Sequence, residues 1–185
     1  MNERLSIILP ARNEAVNLRP LLEKLTGQCP GAEIIVVNDG STDETVEVCR
    51  ASEVRVISHP YSLGNGAAIK TGARHAGGDI LVFMDADGQH DPEDIPRLLA
   101  KMDEGYEMAV GARQADTHAS LGRRLANHVY NRLASWMTGY PIEDLTSGFR
   151  VARARHFRRR WYFISPLSHW YAIAIRILWK PTPPT

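Results

Sequence analysis

Two carboxylates and an amide stand close together in the segment ILVFMDADGQHDP, residues 80–92. Asp85 and Asp87 are two residues apart, and Gln89 follows two residues later. Side chains at positions i and i+2 lie on the same side of a strand, so both carboxylates can converge just past the strand's end. Carboxylate and amide oxygens suit Mg²⁺ or Mn²⁺, the ions that accompany nucleotide phosphates. The segment therefore predicts a metal or phosphate site with Asp85, Asp87 and Gln89 as metal ligands.

An acidic turn that caps the next helix is the alternative explanation for these carboxylates. Asp91 followed by Pro92 already supplies that cap, with Asp at the N-cap and Pro at the first helical position. Capping thus leaves Asp85 and Asp87 without a role, which favours the metal or phosphate site. We expect His90 to be a turn histidine rather than a general base.

Apolar strand patterns and amphipathic helix patterns alternate along the chain. This alternation predicts an α/β fold with a mainly parallel sheet and helices on both faces. The pattern predicts strands at residues 5–9, 33–37, 54–58, 80–84 and 108–111, and helices from about residues 17, 42, 64, 92 and 125.

Local signals set the expected ends of these elements. Pro10 is expected to end the first strand, and Asn17 to cap the first helix with Pro20 still in the first turn. Ser41 and Glu44 fit a capping box for the second helix. Gly64, Asn65 and Gly66 predict a turn that exposes backbone N–H groups to an anion. His59 and His75 indicate nothing beyond a solvent-facing or helix-surface position.

Polar residues suited to a nucleoside diphosphate follow four of the predicted strands. They are Glu14, Asp39, the Asp85–Gln89 set and Arg113. Because loops at the carboxyl ends of parallel strands share one edge of the sheet, these residues predict a single cleft. The alternatives are local: Glu14 also suits a helix N-terminus, and Asp39 with Gly40 also suits an ordinary turn.

Four segments resemble family 2 inverting glycosyltransferases of the GT-A fold, namely LPARNEAVNL, VVNDGSTDETV, GNGAAIKTGARHAGGDILVFMDADGQHDPEDI and DLTSGFRV. Within that family they are most similar to polyprenyl-phosphate (dolichol-phosphate) mannosyl- and glucosyltransferases. The resemblance covers residue 5 to about residue 154. It implies a GT-A domain at residues 1–154 and a divergent tail at residues 155–185. It also implies hexose transfer from a GDP-mannose or UDP-glucose type of donor to a polyprenyl phosphate, assisted by Mg²⁺ or Mn²⁺.

The resemblance also implies a set of site residues. Asp87 and Gln89 would ligate the metal, and Asp85 would face either the metal or the ribose. Asp87, Arg113 and Arg123 would act in catalysis, the two arginines on the sugar or the acceptor phosphate. The implied donor-binding residues are Pro10, Ala11, Glu14, Val37, Asp39, Asp85, Ala86, Asp87, Gln89 and Arg113.

Charge is distributed unevenly, with eight Lys or Arg and no Asp or Glu in residues 145–185. Aromatic residues follow the arginine run of this segment, a composition typical of a membrane interface. The alternative is a truncated or altered end that is disordered or loosely packed. No run of 18 apolar residues and no signal peptide is visible, and the two cysteines indicate a reducing compartment. We therefore expect a peripheral protein at the cytoplasmic face of a membrane. Nucleic acid is not an expected partner, since no recognition module accompanies the arginines.

Two other functions fit the same residues. One is a glycosyltransferase whose acceptor is a saccharide or a lipid that lacks phosphate. The sequence after Val151 departs from the family on the acceptor side, and this departure favours the other function. The other is a non-catalytic or truncated protein that binds nucleotide sugars without transferring them.

Overall fold

A computed structural model describes residues 3–106, 108–111, 132 and 147–155 of the 185-residue chain. The described strands are β1 (Leu5–Ala11), β2 (Glu33–Asn38), β3 (Arg55–Ser58), β4 (Ile80–Phe83), β5 (Met108–Val110) and β6 (Arg150–Arg153). The described helices are α1 (Ala15–Gln28), α2 (Thr45–Ala51), α3 (Asn65–His75) and α4 (Ile95–Asp103), the last preceded by a 3₁₀ turn at Pro92–Asp94. All five predicted strands are present.

The strands form one mixed sheet in the order β3-β2-β1-β4-β6-β5. The first four strands in sequence are mutually parallel, and β6 runs antiparallel between β4 and β5. The predicted α/β class and mainly parallel sheet are confirmed. Strand β6 was not predicted, because its four residues, RVAR, alternate too briefly to separate a strand from a loop.

The core lies on both faces of the sheet, as successive side chains of a strand point to opposite faces. Ile7 and Leu9 of β1 pack with the apolar sides of α1, α2 and α4. Ile8 packs on the opposite face with α3. The apolar stripe of α1 faces the sheet, with Leu18, Leu21, Leu22 and Leu25 all buried. Helices on both faces are therefore confirmed within the described residues.

Pro10 does not end β1, contrary to expectation. The strand continues to Ala11, and Pro10 pairs with Val37 of β2. A proline lacks only the N–H donor, and the strand retains its other backbone groups for pairing. The two additional residues bring the end of β1 level with Asn38, the end of β2.

The predicted helix caps of α1 and α2 are also wrong. Helix α1 begins at Ala15, so Asn17 lies inside it and Pro20 lies in its second turn. Helix α2 begins at Thr45 without a Ser41 cap. By contrast, the start at residues 91–92 is confirmed: the side chain of Asp91 accepts the Glu93 N–H at 3.1 Å.

In the part of the chain that is described, none of the helices combines the length and the apolar character needed to span a lipid bilayer. The predicted helix at 125–137 and the basic, aromatic tail fall almost entirely outside the described residues. The sheet accounts for two of the basic residues in the 145–185 segment, because Arg150 and Arg153 belong to β6. Arg153 also forms an ion pair with Glu3.

Candidate functional site

The predicted site loops meet at one edge of the sheet. Ala11 pairs with Asn38, so β1 and β2 end at the same level, whereas β4 ends three residues earlier, where Phe83 pairs with Ile8. The loops that follow carry Glu14, Asp39 and the Asp85–Gln89 set. This is the carboxyl edge at which open α/β sheets bind ligands.

Asp39 is the most heavily bonded side chain of this edge. Its Oδ1 lies 2.8 Å from His59 Nδ1 and accepts the Leu63 N–H at 2.8 Å. Its Oδ2 accepts the Ser62 hydroxyl at 2.7 Å and the Gly64 N–H at 2.9 Å. The carboxylate therefore joins the end of β2 to the loop between β3 and α3.

Electrostatics agree with that geometry. Burial alone would raise the pKa of the Asp39 carboxyl, but the hydrogen bonds from His59, Leu63, Ser62 and Gly64 outweigh it and hold this pKa far below its usual range. Asp39 is therefore ionised throughout the neutral range. The second ring nitrogen of His59 lies 2.9 Å from Thr71 Oγ1, which ties the same network to the middle of α3.

Gly40 allows the two loops to touch. Its φ is +69°, and a Cβ atom there would lie 2.7 Å from the backbone N of Ser62. Any other residue would therefore collide with backbone rather than with a flexible side chain. The Asp39–Gly40 turn is thus more than an ordinary connection, because both residues are needed for the contact with residues 61–64.

The loops after β1 and β2 are joined by a second set of hydrogen bonds. Asn13 N donates to Ser41 Oγ at 3.0 Å, and its side-chain oxygen accepts the Thr42 N–H at 2.8 Å. Asp43 accepts the N–H of Ala15, the first residue of α1, at 3.1 Å. The cap of α1 therefore comes from another loop. Ser41 is used in this junction, which explains why it does not cap α2.

Glu14 stands at the N-cap of α1, half-buried at the rim of the edge. Its carboxylate accepts the side-chain N–H of Asn17 at 2.8 Å, and its backbone N–H donates to Thr45 Oγ1 at 3.1 Å. Asn17, predicted as a cap, thus orients Glu14 instead.

Asp85 and Asp87 occupy different environments after β4. Asp85 is half-buried, and Asn65 Nδ2 donates to its Oδ1 at 3.3 Å. Asp87 is exposed, and its Oδ1 accepts the Gln89 N–H at 3.0 Å within the turn. Among the described residues, no group of three or more His, Cys, Asp and Glu side chains is arranged to hold a metal ion. The predicted set has only two carboxylates and depends on Gln89 for a third ligand.

The segment Ser147–Gly148–Phe149 crosses directly beside these acids. Ser147 is fully buried, and its hydroxyl donates to the carbonyl of Gly111 at 2.5 Å. A Cβ atom on Gly148 would overlap the Asp85 carboxylate. Phe149 is buried with its ring centroid 5.2 Å from that of His90. This contact supports the expectation of a turn histidine.

The other predicted donor-binding residues are placed as follows. Pro10 and Ala11 end β1, with Ala11 only 3% exposed and its carbonyl accepting the Asp39 N–H. Val37 is completely buried in the core beneath α3, and Ala86 is 2% exposed. The roles of these residues in donor binding remain predictions. Arg113 and Arg123 lie outside the described residues.

Three site residues were not predicted from the sequence. His59, expected at the surface, has a side chain only 8% exposed, which contradicts that expectation. Ser62 and Gly148 were not considered individually. The available signal was weak: His59 directly follows a strand on the same edge, and Gly148 stands in the quoted DLTSGFRV segment.

Comparison with known proteins agrees with this geometry. The family model described as Glycosyl transferase family 2 matches residues 6–163, which include all the described strands except Leu5, the first residue of β1. The chain belongs to glycosyl transferase family 2.

One relative within family 2 is the undecaprenyl-phosphate 4-deoxy-4-formamido-L-arabinose transferase of Salmonella paratyphi A. It is 34% identical over an alignment of 161 positions, and the match covers 82% of this chain and 49% of the relative. The chain thus spans about half the length of the curated relatives it matches.

Solved structures of GT-A glycosyltransferases share the fold. Glucosyl-3-phosphoglycerate synthase from Mycobacterium tuberculosis, solved with Mn²⁺, UDP-glucose and phosphoglyceric acid, superposes with a TM-score of 0.66 at 27% identity over 84% of this chain and 58% of that one. Mannosyl-3-phosphoglycerate synthase from Rubrobacter xylanophilus gives a TM-score of 0.67 at 22% identity, over 82% of this chain and 53% of that one. The expected GT-A fold is confirmed.

Proposed function

We propose that this chain transfers a hexose from a nucleoside diphosphate sugar to a polyprenyl phosphate with inversion at the anomeric carbon. The observation that carries the proposal is the edge itself: in this family 2 chain, Glu14, the Asp39 loop and the Asp85–Gln89 turn follow the carboxyl ends of three neighbouring parallel strands, β1, β2 and β4. The acceptor class is supported by the Salmonella relative, whose name specifies undecaprenyl phosphate.

The residues present fit a divalent cation at the turn after β4. Asp87 is exposed at the rim with its orientation fixed by the Gln89 N–H, and Asp85 lies beside it with one face covered by Gly148. Two carboxylates with an amide oxygen form the hard-oxygen set that Mg²⁺ and Mn²⁺ accept, leaving positions for diphosphate oxygens. A neighbour solved with Mn²⁺ supports the same ion class. We propose Asp85, Asp87 and Gln89 as the ligands.

The reaction breaks the bond between the anomeric carbon and the diphosphate, and it forms a bond from that carbon to an acceptor phosphate oxygen. A bound divalent ion supplies Lewis-acid neutralisation of the charge that develops on the departing diphosphate. An acceptor phosphate is already ionised near pH 7, so no general base is required. Arg113 and Arg123 are proposed to orient its oxygens through paired N–H donors.

Direct assay tests the proposal. The chain is incubated with GDP-mannose or UDP-glucose, Mn²⁺ or Mg²⁺, and a short-chain polyprenyl phosphate, and glycolipid is detected by extraction and mass spectrometry. Metal-dependent glycolipid with one donor is expected. Folded protein that binds a nucleotide sugar by calorimetry but forms no product with any acceptor would instead be a nucleotide-sugar-binding protein without transferase activity.

A different acceptor is the second candidate function. The observation that favours it is the neighbour solved with phosphoglyceric acid, a small phosphorylated acceptor. The same experiment also tests a saccharide acceptor that carries no phosphate. Arg123→Ala is expected to abolish transfer to a phosphorylated acceptor and to leave transfer to a neutral saccharide largely intact. Arg74→Ala, an exposed arginine in the last turn of α3, is the matched control.

We further propose that the chain works at a membrane surface. Arg158, Arg159 and Arg160 precede a run of aromatic residues, and each basic residue near an anionic surface contributes about 1 kcal/mol of attraction. The chain is expected to co-sediment with vesicles that contain anionic lipid and to be released by salt. A triple Arg→Gln variant at 158–160 that binds such vesicles as well as the parent chain would contradict this.

A further inference from the structure

We infer that the contact between the rings of His90 and Phe149 positions the turn at residues 85–90, which carries the ligands proposed for a divalent ion. His90 and Phe149 are then positioning residues, which act through Asp87 and Gln89 and do not bind the ion themselves. The inference rests on the proposed function and specifies what holds the proposed ligands in place. It also gives His90 a role that depends on its ring and not on its nitrogen atoms.

The backbone of Phe149 is fixed by the sheet. Phe149 comes directly before β6, whose first residue, Arg150, pairs with Phe83 of β4 on one side and with Val110 of β5 on the other. The carbonyl of Phe149 accepts the Gly111 N–H at 2.9 Å. Side chains on strands position a site more precisely than side chains on loops do. Phe149 is therefore a rigid reference point beside the turn.

The ring of Phe149 packs between the end of β5 and the turn after β4. The residue is 2% exposed and shares an apolar cluster with Met84 and Ala86, which flank Asp85 in the chain. A Cβ atom on Gly111 would lie 2.7 Å from Cδ1 of this ring. The ring thus has room only because Gly111 carries no side chain.

His90 connects this rigid ring to the proposed ligands. The centroids of the His90 and Phe149 rings are 5.2 Å apart and their planes are inclined at 39°, a separation at which aromatic rings attract each other. His90 is half-buried and directly follows Gln89, whereas Asp87 and Gln89 are exposed. Because Asp87 Oδ1 accepts the Gln89 N–H, a shift of His90 and Gln89 would also move Asp87.

The same short segment meets the other end of the turn. Gly148 precedes Phe149 and lies against the Asp85 carboxylate, which a Cβ atom on Gly148 would overlap. The turn is therefore contacted at its first residue by Gly148 and at its last by Phe149, with Asp87 and Gln89 between them. Residues that orient metal ligands in this way typically contribute about 10–100-fold to metal affinity.

Four variants separate packing of the ring from chemistry of its nitrogen atoms. His90→Phe keeps an aromatic ring and removes both ring nitrogens, whereas His90→Ala removes the ring. Phe149→Leu replaces the partner ring by a smaller apolar side chain. His75→Ala, at an exposed histidine that ends α3, is the matched control. If Phe149→Leu does not fold, the two variants of the half-buried His90 still give the comparison.

Two readouts are measured on the full chain. Hydrogen exchange mass spectrometry reports the amides of residues 86–91 without ligand. Titration with Mn²⁺ in the presence of UDP or GDP, followed by electron paramagnetic resonance, gives an apparent Kd for the ion.

Positioning by the ring predicts one pattern across the variants. His90→Ala and Phe149→Leu should each weaken Mn²⁺ binding by about tenfold and speed exchange at 86–91, while His90→Phe and His75→Ala stay within about twofold of the parent chain. The double variant of His90→Ala and Phe149→Leu should lose little more than either single variant, because both changes remove the same contact.

The opposite results overturn the inference. A loss of Mn²⁺ affinity in His90→Phe as large as that in His90→Ala would assign the role to the imidazole nitrogens. Parental Mn²⁺ affinity or parental exchange at 86–91 in His90→Ala would show that the ring does not hold the turn. If the parent chain binds no Mn²⁺ with either nucleotide, the proposed metal site fails, while exchange at 86–91 in the two His90 variants still decides whether the ring contact holds the turn.

Discussion

Gly148 lies so close to Asp85 that a methyl group on Gly148 would place its carbon 2.5 Å from Cγ of the carboxylate. Gly148 is half-buried and does not have a positive φ, so its backbone could hold another residue without strain. The absence of a side chain at this position is therefore explained by the space that Asp85 occupies.

Gly148→Ala is accordingly expected to rotate the Asp85 carboxylate away from its position and leave the sheet intact. Sugar transfer should fall by about tenfold or more, with weaker Mn²⁺ dependence, because the proposed metal ligand Asp85 would have moved. Circular dichroism and steady-state assays with varied Mn²⁺ measure both effects. Gly27→Ala is the control, since nothing lies within 4 Å of its Cβ position. Unchanged kinetics in Gly148→Ala would show that Asp85 is not required where it stands.

Asp87→Asn tests the proposed metal site more directly. The exposed carboxylate loses its charge but keeps an oxygen for the Gln89 N–H, so the turn is expected to remain folded. A loss of about a hundredfold or more in kcat is expected, because neutralisation of the leaving diphosphate is weakened. Activity assays and Mn²⁺ titrations check this. An Asp87→Asn enzyme with parental kcat would exclude Asp87 as a ligand.

Asp43→Ala should destabilise the first turn of α1, in addition to the loop after β2 in which Asp43 lies. Asp43 accepts the Ala15 N–H across the junction, and removing a capping side chain lowers the free energy of unfolding by about 1 kcal/mol. Urea denaturation measures the change, and hydrogen exchange should be faster at residues 15–18. Glu47→Ala, in the neighbouring helix, is a control for loss of acidic charge. Exchange at 15–18 that matches the parent would contradict the shared cap.

Glu33 gives a pH-dependent prediction at the opposite edge of the sheet. Burial would raise its pKa, but hydrogen bonds from Ser6, Gly77 and Arg55 lower the pKa below its usual value. A lowered folded-state pKa means that the stabilisation is present above the unfolded pKa of about 4.3 and is lost as pH falls through the folded pKa. Glu33→Gln should therefore reduce the free energy of unfolding by about 1–2 kcal/mol at pH 7. Urea curves at pH 7 and pH 3 test whether this difference disappears in acid.

Sequence patterns predicted those features that depend on neighbouring residues. The buried run before Asp85 is such a feature, and so is the Asp91–Pro92 start, whose cap bond spans two residues. The cap of α1 could not be found in this way, because Asp43 is 28 residues from Ala15. His59 likewise became part of the site only through Asp39, 20 residues earlier, and Thr71, 12 residues later. These contacts join loops that come together only when the sheet has formed, so a local sequence pattern does not predict them.

The hydrogen bonds between Gly111 and residues 147–149 have a consequence for acceptor choice. Gly111 N donates to the Phe149 carbonyl at 2.9 Å, and its carbonyl accepts the Ser147 hydroxyl, so the two ends of the segment 112–146 lie next to each other. Insertions whose two ends are adjacent can change in length and composition at little cost to the body that carries them. The intervening residues include both arginines proposed for the acceptor. If the proposed function holds, residues 112–146 can therefore diverge, or be exchanged as one piece between homologous enzymes, while the strands proposed to bind the nucleotide stay the same.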